Sequence, residues 1–198
     1  MLSVRNKFLF IHIPKTGGNS IQSILSSYSE DVIIRDDHNQ DGVNTFEVRN
    51  ENIPVTKHST LEKYNLHILP EFFNSLYKFT CVRNPWDRLV SLYFTPKKGR
   101  TEWNREEFLK VMEDIPLMTS YITRDDRIDM DYIIKFESIN KDFAHVCSIL
   151  GIENTILPFI NKSNHMHYSE YYDNELIDIV GTRYEDDLNF FGYSFETG

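Results

Sequence analysis

The chain has 198 residues, of which 40% are hydrophobic and 14% are aromatic. This composition excludes an intrinsically disordered chain, and the length fits a single domain over residues 1–198 with a core of its own. Thirty acidic against 21 basic side chains give a net charge of −9, which argues against a protein that wraps nucleic acid or lies on anionic lipid.

The first predicted element is a strand. Residues 8–13 form a continuous apolar, β-rich run, as expected of a strand covered on both faces. A glycine turn follows, and then a helical pattern with apolar residues at Ile21, Ile24 and Leu25. Residues 31–35 predict a second short strand, and the polar stretch 36–52 has the composition of a surface loop.

A second strand-to-helix junction follows the apolar run at residues 77–83. Asn84 suits the N-cap of the next helix and Pro85 its first turn, so Arg83 lies at this junction. The other predicted elements are short helices at 61–65 and from Pro70, a basic loop at 95–102, a helix at 106–112, a strand before a Ser138 cap, a helix ending at Gly151, a helix at about 169–180, and another short helix.

This alternation of strands and helices predicts the α/β class. We expect a P-loop-like, three-layer α/β/α fold with a central, mainly parallel sheet and right-handed crossovers. Such sheets bind ligands at the carboxyl ends of their strands, where both junctions lie.

No segment predicts secretion or a membrane span. The apolar run near the start is about six residues long, too short for a signal-peptide core, and no stretch of about 18 apolar residues exists elsewhere. We expect a soluble, cytoplasmic protein without stable membrane insertion. Cys81 and Cys147 lack metal-ligand spacing, and we expect small buried side chains rather than a disulfide or a thiol nucleophile.

The first junction has the features of a phosphate-binding turn. Gly17 and Gly18 let the backbone approach a ligand, the N–H groups of the new helix favour an anion, and Lys15 adds a full charge. Further hydrogen bonds are expected from the polar residues of this turn, Thr16, Asn19 and Ser20. A plain turn with a capping serine and a solvated lysine is the weaker interpretation.

The order of residues differs from that of a nucleoside-triphosphate loop. There the lysine follows the second glycine, whereas Lys15 precedes both glycines. The sequence also lacks a suitable carboxylate at the end of a buried strand for Mg²⁺. A transfer reaction without a metal ion therefore fits better.

The second junction offers a second anion site. Ser91 lies eight residues after Arg83, about two helical turns, so a guanidinium fork and a hydroxyl can face one phosphate monoester. The alternative stays open: Arg83 pairs with Asp87 or Glu137, and Ser91 only packs.

The two segments "HIPKTGGNS" and "CVRNPWDRLVSLY" together resemble sulfotransferases that use 3′-phosphoadenosine 5′-phosphosulfate (PAPS), especially the carbohydrate (Golgi-type, family 2-like) group and its bacterial relatives. The resemblance runs from about Lys7 to Phe195. It implies that the first motif binds the 5′-phosphosulfate, with Lys15 stabilising charge on the leaving phosphate. It also implies that Arg83 and Ser91 bind the 3′-phosphate. Asn19 departs from the threonine or serine more familiar at its place.

An acceptor hydroxyl must lose a proton, and histidine is suited to take it near neutral pH. We predict His58 as this base, because family members with a histidine base carry it in a similar stretch upstream of the arginine motif. His12 is expected to be packed and hydrogen-bonded instead. His165 and His167 are too few to hold a metal ion.

Three assignments are less specific. Residues 161–163 (Asn161, Lys162, Ser163) lie near the nucleotide if the resemblance holds, or form a solvated loop. Glu137 is expected to pair with a helix end, and Asp187 to be a surface charge.

The sequence thus predicts sulfuryl transfer from PAPS to an acceptor hydroxyl, with a carbohydrate as the expected acceptor. A P-loop-type small-molecule kinase and a non-catalytic nucleotide-binding module are the alternatives. Acceptor specificity would lie in the loops at 36–52 and 95–103, whose composition names no ligand.

Overall fold

The computed structural model describes residues 1–35, 46–95, 99–153, 156–158 and 165–198. Its elements are, in chain order, β1 (Leu2–Ser3), β2 (Phe8–Ile11), α1 (Gly18–Leu25), β3 (Val32–Ile34), β4 (Glu47–Arg49), α2 (Leu61–Asn65), α3 (Pro70–Ser75), β5 (Tyr77–Val82), α4 (Pro85–Tyr93), α5 (Arg105–Glu113), α6 (Thr119–Ile122), β6 (Thr123–Arg124), β7 (Arg127–Ile128), β8 (Tyr132–Lys135), α7 (Ile139–Leu150), α8 (Asn174–Arg183) and α9 (Glu185–Phe191).

The central sheet has four strands in the order β1-β2-β5-β8. Strands β2, β5 and β8 run parallel, and β1 is an antiparallel edge strand beside β2. The predicted α/β class with a mainly parallel central sheet is confirmed. Since β2 and β5 are neighbours, their carboxyl ends lie side by side.

Helices pack on both faces of this sheet. Successive side chains of a strand point to opposite faces. Accordingly, Phe8 and Phe10 share a buried cluster with α1 and α7, whereas Leu9 and Ile11 share one with α2, α3, α6 and α9. A third cluster joins α4, α5 and α8.

Several local predictions are confirmed. The side chain of Asn84 accepts a hydrogen bond from the backbone N–H of Trp86 at 3.1 Å, as an N-cap should. Gly151 ends α7 in the left-handed conformation, with φ of 67°. Glu137 accepts the backbone N–H of Asn84 at 2.8 Å, so it does pair with a helix end.

Other predictions need correction. The strand at 31–35 forms, but it pairs with β4 in a separate two-stranded sheet. Ser138 makes no capping bond, because its hydroxyl donates to the carboxylate of Asp142 at 2.7 Å. The helix expected at 169–180 is divided into a short 3-10 helix, Tyr168–Tyr171, and α8, which Asp173 caps.

Asp187 is not a surface charge. It is fully buried, and its two carboxylate oxygens accept the backbone N–H groups of Met118 at 2.7 Å and Thr119 at 2.9 Å, at the start of α6. Burial raises the pKa of this carboxyl, against the opposing effect of those hydrogen bonds and of Arg88.

Among the described helices, none has the length and apolar character needed to cross a membrane.

Candidate active site

The two predicted junctions meet at the carboxyl edge of the sheet. Lys15 follows β2 and Arg83 follows β5, and the Nη1 of Arg83 donates to the backbone carbonyl of Lys15 at 3.3 Å. The strand order brings these residues together although 68 positions separate them. One ligand can therefore contact both motifs.

Three successive carbonyls of the first loop are held by side chains of the second junction. The contacts are Arg88 Nε to Pro14 O at 3.1 Å, Arg83 Nη1 to Lys15 O at 3.3 Å, and Cys81 Sγ to Thr16 O at 2.8 Å. In a trans peptide the C=O and the next N–H point in opposite directions. The N–H groups of residues 15–17 are consequently directed away from these side chains, as in an anion-binding nest.

The backbone of this loop adopts the left-handed conformation twice. Lys15 has φ of 68° and Gly17 has φ of 87°. A non-glycine residue in this region costs roughly 1 kcal/mol. The hydrogen bonds from Arg88 and Arg83 to the carbonyls of Pro14 and Lys15 help to offset that cost.

Both glycines are also required by packing. A Cβ added at Gly17 would lie 2.7 Å from Cδ1 of Ile139, and one added at Gly18 would clash with the ring of His12. The sequence analysis explains the two glycines by the close approach of a ligand. The structure gives a second reason for them: α7 and the residue that follows β2 pack closely against this turn.

The other polar residues of the turn are placed differently from one another. Thr16 is buried, and its hydroxyl donates to the carbonyl of Ile13 at 2.9 Å, so it closes the turn. Ser20 is buried in the first turn of α1, while Asn19 is half-buried. The Oδ1 of Asn19 has no hydrogen-bond partner within the described part of the chain.

At the second junction, Arg83 forms an ion pair with Asp87, one of the two partners that the sequence leaves open. Its Nε donates to Oδ2 of Asp87 at 2.6 Å, and its guanidinium lies 4.2 Å from the ring centroid of Phe136. The partner is Asp87 rather than Glu137. Ser91 is buried in α4, the helix that begins two residues after Arg83. An arginine oriented on one edge by a carboxylate and on its face by an aromatic ring is prepared to bind an anion.

His58 lies next to His12 at the end of β2. Its Nδ1 is 3.0 Å from the carbonyl of His12, and the two rings have centroids 4.5 Å apart at 62°. His12 is buried as predicted, and its Nδ1 is hydrogen-bonded to Oε1 of Gln22 at 2.8 Å. Burial, followed by the charges of His58 and Lys57, lowers the pKa of His12 well below 6.5. His12 is therefore neutral at physiological pH.

Neither cysteine is a reactive thiolate. Both are buried. Burial raises the pKa of Cys147 to about 11 and that of Cys81 well above its ordinary value. The predicted lack of a thiol nucleophile is consistent with these pKa directions.

The structure thus brings the first loop and Arg83 to one edge of the sheet, with His58 in contact with His12 and Ser91 in α4. The predicted residues of the first loop are Lys15, Thr16, Gly17, Gly18, Asn19 and Ser20. Residues 161–163 lie outside the described residues. In the described ranges no group of histidine, cysteine, aspartate or glutamate side chains is suited to a metal ion. Sequence reasoning missed the roles of Arg88, Gln22 and Phe136, which no local pattern indicates.

The whole chain was compared with known families. Residues 1–194 match the model of the Sulfotransferase family. The chain belongs to this family. The resemblance drawn from the two motifs is confirmed at this level, and sulfuryl transfer is the activity of the family. No curated protein and no solved structure gives a significant match.

Proposed function

We propose that this sulfotransferase uses PAPS as its donor and transfers the sulfuryl group to an acceptor hydroxyl on a carbohydrate. We take residues 1–198 as one domain with a P-loop-like, three-layer α/β/α fold. The contact between Arg83 and the carbonyl of Lys15 is the observation that carries the donor assignment. This contact fixes the distance between the loop that contains Lys15 and the guanidinium of Arg83. A nucleotide with phosphates at its 5′ and 3′ positions requires two anion sites at a fixed distance.

The 5′-phosphosulfate would lie at the first loop. The N-terminus of α1 supplies N–H groups and the positive end of the helix dipole, and the ammonium group of Lys15 supplies a full charge. The proposed contacts come from Lys15, Thr16, Gly17, Gly18, Asn19 and Ser20. Thr16 would contribute its backbone N–H, because its hydroxyl is bonded to Ile13.

The 3′-phosphate would lie at the second junction, where Arg83 and Ser91 are the proposed ligands. Asp87 accepts from Nε of Arg83 and the carbonyl of Lys15 accepts from Nη1, while Phe136 packs on the face of the guanidinium, so Nη2 would face the phosphate. A charge-assisted hydrogen bond of this kind contributes about 1.5–3 kcal/mol.

The reaction would be an in-line displacement at sulfur. The acceptor oxygen forms a bond to sulfur while the bond from sulfur to the bridging phosphate oxygen breaks. Negative charge develops on the departing phosphate, which Lys15 and the α1 N-terminus stabilise. The proton of the acceptor hydroxyl passes to His58.

Calorimetric titration with adenosine 3′,5′-bisphosphate tests the donor assignment. We expect wild-type protein to bind it more tightly than ATP with Mg²⁺, and Arg83→Ala to weaken binding by about 100-fold, which corresponds to about 2.7 kcal/mol. Arg105→Ala is the matched control, since Arg105 forms exposed ion pairs with Asp173 and Glu175. ATP binding as tight as that of the bisphosphate would favour the kinase alternative.

A second variant separates an enzyme from a nucleotide-binding module. His58→Ala should retain bisphosphate affinity and lose transfer of labelled sulfate from PAPS to a panel of saccharides. A wild-type protein that binds the bisphosphate yet transfers nothing to saccharides, tyrosine peptides or small hydroxyl compounds would contradict the proposed activity.

A further inference from the structure

One buried residue, His12, touches both halves of the proposed reaction centre. Its ring occupies the space where a side chain at Gly18 would lie, at the first residue of α1. Its Nδ1 is bonded to Gln22 in the same helix. Its backbone carbonyl and its ring edge both contact His58. A single residue thus spans the phosphate loop and the proposed base.

The contact between His58 and this carbonyl determines which nitrogen of His58 is basic. A backbone carbonyl only accepts hydrogen bonds, so the Nδ1 of His58 must carry the hydrogen. In the neutral ring the basic lone pair is then on Nε2. Free histidine prefers the opposite tautomer, so the protein must stabilise this one.

The ring of His12 is itself held in one orientation. The amide oxygen of Gln22 accepts from Nδ1 of His12, and Gln22 is fully buried. Lys57, together with His58 and the amino group of Met1 whenever these are protonated, disfavours a charge on His12. Together with burial they keep His12 neutral, so its ring packs against His58 without a charge of its own.

We propose that His12 is a positioning residue, whose carbonyl and ring hold His58 in the Nδ1–H tautomer next to the N-terminus of α1. This inference rests on the proposed function, in which His58 accepts the proton of the acceptor hydroxyl.

The tautomer can be measured directly by NMR with ¹⁵N-labelled histidine, because the two ring nitrogens differ in shift between tautomers. His58→Asn identifies the signals. We expect wild-type His58 to be predominantly Nδ1–H in its neutral form. His12→Ala opens a cavity beside the ring and should give a mixture of tautomers. The double variant His12→Phe/Gln22→Met keeps the ring volume, leaves no buried amide unpaired, and should retain the Nδ1–H form.

Three results would overturn the proposal: predominantly Nε2–H in wild type, an unchanged tautomer in His12→Ala, or its loss in the double variant. The wild-type result stands even if His12→Ala does not fold. Binding of adenosine 3′,5′-bisphosphate, measured in parallel, should change by less than about threefold in the double variant. If wild-type protein does not bind the bisphosphate, the proposed function fails, while the tautomer still reports on His12.

Discussion

Lowering the pH should destabilise this protein through His12. The pKa of its buried ring lies well below 6.5 in the folded state, mainly because burial disfavours the charged form. The unfolded chain binds a proton below about pH 6.5, whereas the folded chain does not. The contribution of His12 to the free energy of unfolding is therefore fully present above pH 6.5. It is lost as the pH falls from 6.5 towards the lowered pKa of the folded state.

The size of this effect follows from the two protonation states. With an unfolded pKa of 6.5 and negligible protonation in the folded state, the loss is RT ln(1 + 10^(6.5 − pH)). It amounts to roughly 1 kcal/mol at pH 5.5 and to a fraction of that at pH 6.5. In a protein whose total stability is on the order of 10 kcal/mol, such a change is readily measured.

Urea unfolding at pH 8, 6.5 and 5.5 gives the required free energies. The control is His12→Phe/Gln22→Met, which lacks the titrating ring and retains its volume. Other titrating groups are shared by both proteins, so the difference between them isolates His12. The wild type should lose roughly 1 kcal/mol more than the variant between pH 8 and 5.5. Equal losses in the two proteins would refute the assignment of a buried, neutral His12.

Three further substitutions test the packing around the site. Gly18→Ala should cost about 1–3 kcal/mol in urea unfolding, because its Cβ meets the ring of His12, and adding His12→Ala should recover much of that loss. Arg88→Met should cost about 3 kcal/mol and lower Tm, since it removes a fully buried donor to two carbonyls. Asp87→Ala should weaken bisphosphate binding about tenfold in calorimetry, whereas Asp87→Asn, which keeps an acceptor for Arg83, should not weaken it.

Local patterns were sufficient to predict the elements that carry the site. The apolar runs before Lys15 and Arg83, the glycine pair and the cap at Asn84 depend on neighbours within a few residues, and they appear in the structure as expected. The order of strands then placed both junctions at one edge. This step needed only the rule that parallel strands share their carboxyl ends.

Contacts across the chain were not predictable in the same way. The expectation of a surface charge at Asp187 is wrong, because the side chain is buried. Its burial depends on the start of α6, nearly 70 residues earlier in the chain. Likewise, Ser138 has the residue type of an N-cap, but Asp142 lies one helical turn later and accepts its hydroxyl.

The same limit applies to Arg88. Arg88 lies in α4, whereas Arg83 precedes that helix. An arginine on a short helix is ordinarily expected to be solvated. Instead, Arg88 points between the loop at Pro14 and the segment at Pro116, and it donates to both carbonyls. Only the packing of these segments reveals that it supports the first motif.

These contacts give the arginine motif a second role in addition to the proposed binding of a phosphate. Arg83 and Arg88 hold carbonyls of the loop that contains Lys15, so the loop is shaped before any ligand arrives. A preformed set of N–H groups avoids the cost of ordering a loop on binding, and donors fixed in advance stabilise developing charge best. Substitutions in the second motif should therefore weaken binding at the first, even where no phosphate contact is lost.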